Sequence, residues 1–205
     1  MRYAVPQIVF GFHGCDRSVG EKLLSGKTTL KPSKNSYDWL GHGIYFWENA
    51  PLRAMQWARE CAANPGQTKG KISDPYVIGA IINLGNCLNL TSLEDQTILK
   101  DAYRIMRKAF SIFNKKYNTD NVKFKFPCNT EKMRDRDCMV INTAVRLQRE
   151  MQYDPFDTVR GAFVEGKPIY PGAKLNSKTH IQICVRNPDC ICGYFLPSVF
   201  MKNNQ

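Results

Sequence analysis

The sequence predicts an α+β fold, organised as a single domain over residues 1–205. Short segments that are apolar, or that alternate between apolar and polar residues as strands do, occur near both ends of the chain. Segments with helical spacing of apolar residues lie between them, so the regular strand–helix alternation of a parallel α/β protein is not expected. Hydrophobic residues make up 43% of the chain and charged residues 23%, which is the composition of a globular domain with a buried core.

The first third of the chain predicts two strands, each followed by a helix. An apolar segment ends at His13 and Gly14, and Asp16 can then accept hydrogen bonds from the first N–H groups of a helix. An Asn-Pro-Gly run ends the second helix, because proline cannot continue it. The predicted elements are, in order, a strand over 8–12, a helix capped by Asp16, a loop over 25–42, a strand over 43–47 and a helix over 51–63.

The rest of the chain predicts a central strand, a helical insertion and further strands. The strongest strand signal is the β-branched run over 76–82. A capping-box pattern over 91–95 starts a long helix, and a polar, basic excursion follows over 118–137. Residues from about 91 to 156 are therefore interpreted as a helical and basic insertion. The remaining predicted elements are a strand over 87–90, a helix over 139–151, and strands over 158–164, 180–186 and 191–196.

Composition also indicates the compartment in which the protein acts. No run approaches the ~18 apolar residues of a membrane helix, and the first residues lack the apolar stretch of a secretory signal. We therefore expect a cytoplasmic protein with no membrane partner. The eight cysteines are scattered and form no C-x₂-C pair, so we expect free thiols and no metal site.

The net charge of +11 favours a polyanionic partner. Nucleic acid is the first candidate, with RNA favoured over DNA, and an acidic protein is the second. Within the polar excursion, aromatic residues alternate with cations, a composition suited to stacking an unpaired base and neutralising phosphates. A solvated basic loop remains an equal alternative. The residues in question are Lys123, Phe124, Lys125, Phe126, Lys132, Arg134 and Arg136.

Three short motifs carry the functional prediction. His13 and Gly14 precede Cys15, and a Gly-x-Gly-Ile-Tyr-Phe run over 41–46 follows about thirty residues later. The third motif is the alternating strand that contains His180 and Gln182. Each motif alone has an ordinary structural explanation: a turn, a tight start to a buried strand, or a polar position on a sheet.

In this order and spacing, the motifs resemble the signature of PARP-type ADP-ribosyltransferases, the group that includes diphtheria toxin. The resemblance covers residues 8–60, extends plausibly to 76–90, and is only topological for 158–196. The insertion has no counterpart. The resemblance implies a split β-sheet with a cleft for NAD⁺, which is consumed as a substrate without a metal.

The resemblance also implies a role for each residue of the first two motifs. His13 would hydrogen-bond the adenosine ribose, and the Gly14 backbone would hold the nicotinamide carboxamide. Cys15 stands where the family has Ser or Thr, so its side-chain hydrogen bond to the carboxamide should be weaker. Tyr45 would stack on one face of the nicotinamide ring, and Trp57, on the following helix, would cover the other face.

The third catalytic position departs from the family, because no glutamate lies in the late strand. Gln182 is the preferred candidate to orient the ribose hydroxyl or the acceptor, His180 is the alternative, and Thr179 is a weaker one. Glu48 and Glu165 follow apolar runs and are interpreted as solvated strand ends. Without the glutamate, we expect single ADP-ribose transfer and no polymer synthesis.

Several functions remain open at this point. The preferred one is a mono-ADP-ribosyltransferase that modifies nucleic acid and acts as a bacterial toxin or defence effector with a neutralising antitoxin partner. The alternatives are transfer to protein, NAD⁺ hydrolysis, a non-catalytic ADP-ribosyltransferase-fold binding module, and an RNA-binding module unrelated to NAD⁺.

Overall fold

A computed structural model describes residues 7–66, 70–117, 125–130 and 133–203. The expected α+β class is confirmed. Two short 3₁₀ turns, Pro188–Cys190 and Ser198–Asn203, accompany the following elements: β1 (Ile8–Asp16), α1 (Arg17–Leu24), β2 (Ile44–Glu48), α2 (Pro51–Ala63), β3 (Pro75–Asn83), β4 (Cys87–Asn89), α3 (Leu93–Tyr117), α4 (Asp135–Glu150), β5 (Thr158–Phe163), β6 (His180–Val185) and β7 (Ile191–Phe195).

The first strand is longer than the sequence predicts. β1 runs four residues past Phe12, because β3 pairs with it along its whole length, from Ile8 opposite Asn83 to Asp16 opposite Pro75. The motif that begins at His13 therefore lies inside a strand and not after it. Asp16 caps α1 as expected, since its Oδ1 accepts a hydrogen bond from the Ser18 N–H at 3.1 Å.

Helix α4 also starts earlier than predicted, at Asp135 instead of residue 139. The side-chain oxygen of Asn129 accepts hydrogen bonds from the backbone N–H groups of Arg136 and Asp137, at 3.1 and 3.2 Å. These two bonds satisfy N–H groups that have no acceptor inside a helix, so the first turn can form before the apolar pattern begins.

The seven strands form one mixed sheet in the order β4-β5-β6-β2-β1-β3-β7, in which only β4 and β5 pair in parallel. The expected split is present only in part. β1 and β2 pair through just two positions, Gly11 opposite Glu48 and Phe12 opposite Trp47. We call this short ladder the β1–β2 junction. It joins one half of the sheet, β4-β5-β6-β2, to the other, β1-β3-β7.

Apolar clusters cover both faces of the sheet. On the α1 face, Phe46 and Ile183 pack with Ile82, all fully buried. On the opposite face, which we call the helical face, Trp47 packs against Ala54 of α2, and Cys184 packs against Ile141 of α4. Paired residues share a face, so the register assigns each side chain of the β2 and β6 motifs to one side.

Among the residues that the structure describes, no helix is both long and apolar enough to cross a membrane. All eight cysteines lie within these residues, and none of them forms a disulfide.

Candidate active site at the β1–β2 junction

His13 occupies the position where the β1–β2 ladder stops. Its Nδ1–H donates to the backbone carbonyl of Tyr45 at 2.8 Å, so a side chain replaces the backbone pairing that would otherwise continue. Burial lowers the pKa of His13, which keeps the ring neutral near pH 7. With Nδ1 protonated, Nε2 carries a lone pair and can accept a hydrogen bond from a hydroxyl group.

Gly14 lies on the helical face, directly beneath α2. A Cβ at this position would lie 2.5 Å from the carbonyl oxygen of Ala54 and 3.1 Å from the Trp57 ring. Close packing of α2 therefore requires a glycine here, a reason that the sequence does not reveal. The same contact brings the Trp57 ring over Gly14.

Cys15 alternates to the α1 face, where its thiol is buried and interacts with the backbone of Gly20. Burial is the main cause that raises the pKa of this thiol to about 12. The side-chain hydrogen bond expected from Cys15 to a carboxamide beside Trp57 is not supported by this geometry, because the two side chains lie on opposite faces of the sheet.

Tyr45 lies half-buried on the helical face, and its hydroxyl holds the loop that precedes β2. The hydroxyl donates to the Gly41 carbonyl at 2.6 Å and accepts from the Leu40 N–H at 2.8 Å. Burial raises the pKa of Tyr45 well above its ordinary value. The phenol therefore stays protonated near neutral pH as a fixed structural group, and Tyr45 packs against the cluster that contains Leu40, Ile141 and Cys184.

Gln182 and His180 share the helical face with Tyr45, because Cys184 pairs with Tyr45 and Gln182 pairs with Trp47. His180 is almost completely buried, and its Nδ1–H donates to the Lys178 carbonyl at 2.6 Å. Burial lowers the pKa of His180. The neutral Nε2 therefore accepts from the Gln182 amide N–H at 2.9 Å. This contact fixes the amide so that its carbonyl oxygen is left as the group that can accept from a ligand.

Two residues of this region were not identified from the sequence as site residues. Trp47 lies two residues after Tyr45 in β2 and shares its face of the sheet. The Trp47 ring centroid lies 5.4 Å from that of Trp57 and 6.4 Å from that of His180. The Arg53 guanidinium lies 5.7 Å from the Trp47 ring centroid. The alternation of β2 could have indicated Trp47, whereas nothing in the sequence indicates that Arg53 faces the sheet.

The interpretation of Glu165 as a solvated strand end is wrong. Its carboxylate forms an ion pair with Arg53 at 3.1 Å and lies 3.6 Å from His180 Nδ1. The Glu165 side chain is 28% exposed and that of Arg53 is 11% exposed. A carboxylate is thus present beside the late strand, supplied by the loop after β5 and already paired with a cation.

The same interpretation of Glu48 is also wrong. Both of its carboxylate oxygens bind Arg160, at 2.6 and 2.9 Å, and the two side chains are only 10% and 13% exposed. The pair lies on the α1 face and joins β2 to β5 across β6.

The aromatic residue of the basic excursion that the structure describes is packed against protein. The Phe126 ring lies 5.3 Å from Phe110 and 5.9 Å from Tyr103, and the guanidinium groups of Arg107 and Arg136 lie 5.2 and 5.6 Å from its centre. Phe126 also lines, with Phe110 and Arg107, a cavity of about 580 Å³.

The other members of the excursion differ in their surroundings. Lys125 is exposed, and the Arg134 guanidinium lies 5.0 Å from the Trp39 ring centre. Lys123, Phe124 and Lys132 lie outside the described residues.

The sequence-predicted residues thus fall into two groups. Gly14, Tyr45, Trp57, His180 and Gln182 share the helical face, whereas His13 and Cys15 point to the α1 face, where the His13 ring centroid lies 5.7 Å from that of Phe46. None of them lines either of two cavities, of about 580 and 560 Å³, that adjoin α3. The expected open cleft across the junction is accordingly not among these cavities.

Comparison with known proteins gives one distant relative. The chain is similar to an uncharacterized protein of Methanocaldococcus jannaschii, with 27% identity over 200 aligned positions that cover 88% of this chain and 83% of that protein. No family model matches the chain. No solved structure matches it either. The function must therefore be argued from the residues themselves.

Proposed function

We propose that the protein transfers a single ADP-ribose from NAD⁺ to a macromolecular acceptor, with nucleic acid, and RNA in particular, as the acceptor class. One observation carries the proposal. Residues from four separate elements, Gly14, Tyr45, Trp57 and Gln182, share the helical face, and His13 bonds the Tyr45 carbonyl where the β1–β2 ladder ends. The resemblance that the motifs bear to PARP-type transferases implies NAD⁺-binding roles for Gly14, Tyr45 and Trp57, and Gln182 stands in the late strand where polymer-forming members have a glutamate.

The chemistry of the region suits the nicotinamide end of NAD⁺. The partly exposed ring of Trp57 supplies a flat apolar surface for a ring to stack on, and the centroid of the buried Trp47 ring lies 5.4 Å from it. Trp47 Nε1, Arg53 Nε and Arg53 Nη1 are buried and have no hydrogen-bond partner within the described residues. Each such donor costs about 1–3 kcal/mol when it is left unpaired, so a ligand oxygen that reached them would gain that energy.

In the proposed reaction, the bond between the nicotinamide nitrogen and C1′ of its ribose breaks, and the electron pair leaves with nicotinamide. A nucleophilic oxygen or nitrogen of the acceptor bonds to C1′, and its proton passes to water. Positive charge develops on the ribose, so groups fixed in advance around it lower the barrier. The carbonyl oxygen of Gln182 can accept from a ribose hydroxyl and direct its dipole at this charge, and His180 keeps the amide in that orientation.

Gln182 cannot remove a proton from a second sugar, which favours a single transfer over chain growth. The net charge of +11 favours a polyanionic acceptor. An enzyme that modifies RNA in this way would be harmful unless controlled, so the proposal includes a toxin or defence role with a neutralising partner. NAD⁺ hydrolysis is the corresponding outcome when water replaces the acceptor.

The test is release of nicotinamide from NAD⁺ by purified protein, followed by transfer of label from NAD⁺ to RNA, single-stranded DNA or protein extract offered separately. His13→Ala and Tyr45→Ala should each abolish nicotinamide release, and Gln182→Ala should reduce it. Gln56→Ala, at an exposed position of α2, is the matched control and should change nothing. Near-normal release by His13→Ala, with a native melting curve, would reject the proposal, and label found only on protein would reject the acceptor class.

A further inference from the structure

A groove of about 560 Å³ lies between α3, α4 and the outer part of β5. Aromatic side chains of Trp39, Tyr103 and Phe163 line it, and its charged lining residues are Lys100, Arg136 and Asp137, the last of which is 4.0 Å from Arg134. Gly161 forms part of the floor, so no side chain fills it at that position. This combination of flat apolar walls and cations at the rim suits a planar ring that carries negative charge nearby.

The groove adjoins the candidate active site through a single strand pairing. Gly161 and Phe163 of β5 pair with Gln182 and His180 of β6, and all four lie on the helical face. The Phe163 ring lies 4.9 Å from the Trp39 ring and 5.8 Å from the His180 ring. Paired strands lie about 4.8 Å apart, so a molecule resting on β5 is one strand away from Gln182.

Charge along α3 is complementary to a phosphate backbone. All charged residues of this helix after Asp101 are basic, and they extend from the groove toward the end of the helix. Lys100 and Lys115 are fifteen residues apart, which corresponds to about 22 Å along a helix. The basic residues are Arg104, Arg107, Lys108, Lys115 and Lys116.

We propose that the groove binds an unpaired base of single-stranded RNA, with the adjoining phosphates along α3. This location differs from the excursion over 118–137, since it is built mainly from α3, α4 and β5. Base stacking on aromatic side chains and neutralisation of phosphates are the two interactions that single-strand binding needs, and the groove supplies both. The role of the groove as the acceptor site rests on the proposed transferase function, whereas RNA binding itself does not.

The experiment measures the affinity of the full chain for a fluorescein-labelled 12-nucleotide RNA by fluorescence anisotropy, with and without added salt. Thr91→Trp places a large ring in the groove at an exposed position and keeps the charge. Lys100→Glu reverses a charge in the lining of the groove, and Lys108→Glu makes the same change on the same helix outside both cavities. We expect Thr91→Trp and Lys100→Glu each to weaken binding about tenfold or more, and Lys108→Glu to weaken it about two- to threefold.

The groove proposal is overturned if Thr91→Trp leaves RNA affinity unchanged, if the two lysine variants weaken it equally, or if double-stranded RNA binds as well as the single strand. Nicotinamide release from NAD⁺ alone, measured on the same samples, separates the two proposals. Groove-dependent RNA binding without any nicotinamide release supports the groove and rejects the transferase. Nicotinamide release without groove-dependent RNA binding supports the transferase and rejects the groove. A protein extract that takes up the label while RNA does not bind also overturns the groove proposal.

Discussion

Removal of one partner from the buried Glu48–Arg160 ion pair should destabilise the half of the sheet that holds Gln182. Glu48→Ala leaves the Arg160 guanidinium, whose side chain is 13% exposed, without the carboxylate that binds it through two hydrogen bonds of 2.6 and 2.9 Å. Asn89 Oδ1, at 3.3 Å, is the remaining side-chain partner in the described residues. A neutral amide oxygen cannot replace the lost charge.

The expected magnitude follows from this burial. Breaking a buried ion pair by removing one partner costs about 3–5 kcal/mol, because the other charge stays buried and uncompensated. For a domain of this length, each kcal/mol lowers Tm by about 2–4 °C, so Glu48→Ala should lower Tm by roughly 6–20 °C. Replacing both residues with apolar ones, as in Glu48→Leu with Arg160→Met, removes both charges and should cost much less.

Thermal unfolding followed by circular dichroism measures the effect, and urea titration gives the free energy of unfolding. The control is Asp101→Ala, which breaks the ion pair with Arg104. In that pair, the side chains of Arg104 and Asp101 are 75% and 56% exposed. An exposed pair of this kind contributes at most about 0.5 kcal/mol. A Tm change of less than 2 °C for Glu48→Ala, or a double variant less stable than the single one, would refute the reasoning.

Three further predictions concern buried polar groups. Tyr45→Phe keeps the ring but removes the hydroxyl that bonds the Leu40 N–H and the Gly41 carbonyl. It should therefore lower the free energy of unfolding by about 1–3 kcal/mol, and an unchanged urea midpoint would contradict this. Burial lowers the pKa values of His13 and His180, so the unfolded chain binds protons first as pH falls below about 6.5. The free energy of unfolding should therefore fall by about 1.4 kcal/mol for each histidine per unit of decreasing pH. His180→Asn should halve this slope, and a free energy of unfolding that stays constant between pH 6.5 and 5 would argue against buried neutral rings. Exposed Cys128 should react with iodoacetamide in the folded protein while Cys184, whose thiol pKa burial raises to about 12, should not, as mass spectrometry of the alkylated peptides would reveal.

Much of the fold could be predicted because local patterns and tertiary pairing agree. The alternation over 180–186 and the β-branched run over 76–82 both form strands, and Asp16 caps the helix that follows it. The end of β1 could not be predicted, because the pairing of its last residues with β3 depends on a segment sixty residues away. Local propensity carries no information on such partners.

The candidate site could also be predicted from local patterns only in part. The face shared by Tyr45 and Gln182 follows from strand alternation once the register is known, and alternation alone could have added Trp47. The roles of Glu48 and Glu165 depend on partners more than one hundred residues away, so both looked like solvated ends. The direction of Cys15 depends on the unexpected length of β1, since a residue in a turn has no fixed face.

The short β1–β2 junction has a consequence for how the chain is connected. The chain passes from one half of the sheet to the other four times, between β1 and β2, β2 and β3, β3 and β4, and β6 and β7. Few backbone hydrogen bonds hold the halves together, yet neither half is a continuous piece of sequence. A fragment that ended after β3 would contain all of β1 and β3 but would lack β7 at the edge and β6 beside β2. No single cut in the chain can therefore separate one half from the other, and we expect the two halves to unfold together in one cooperative transition.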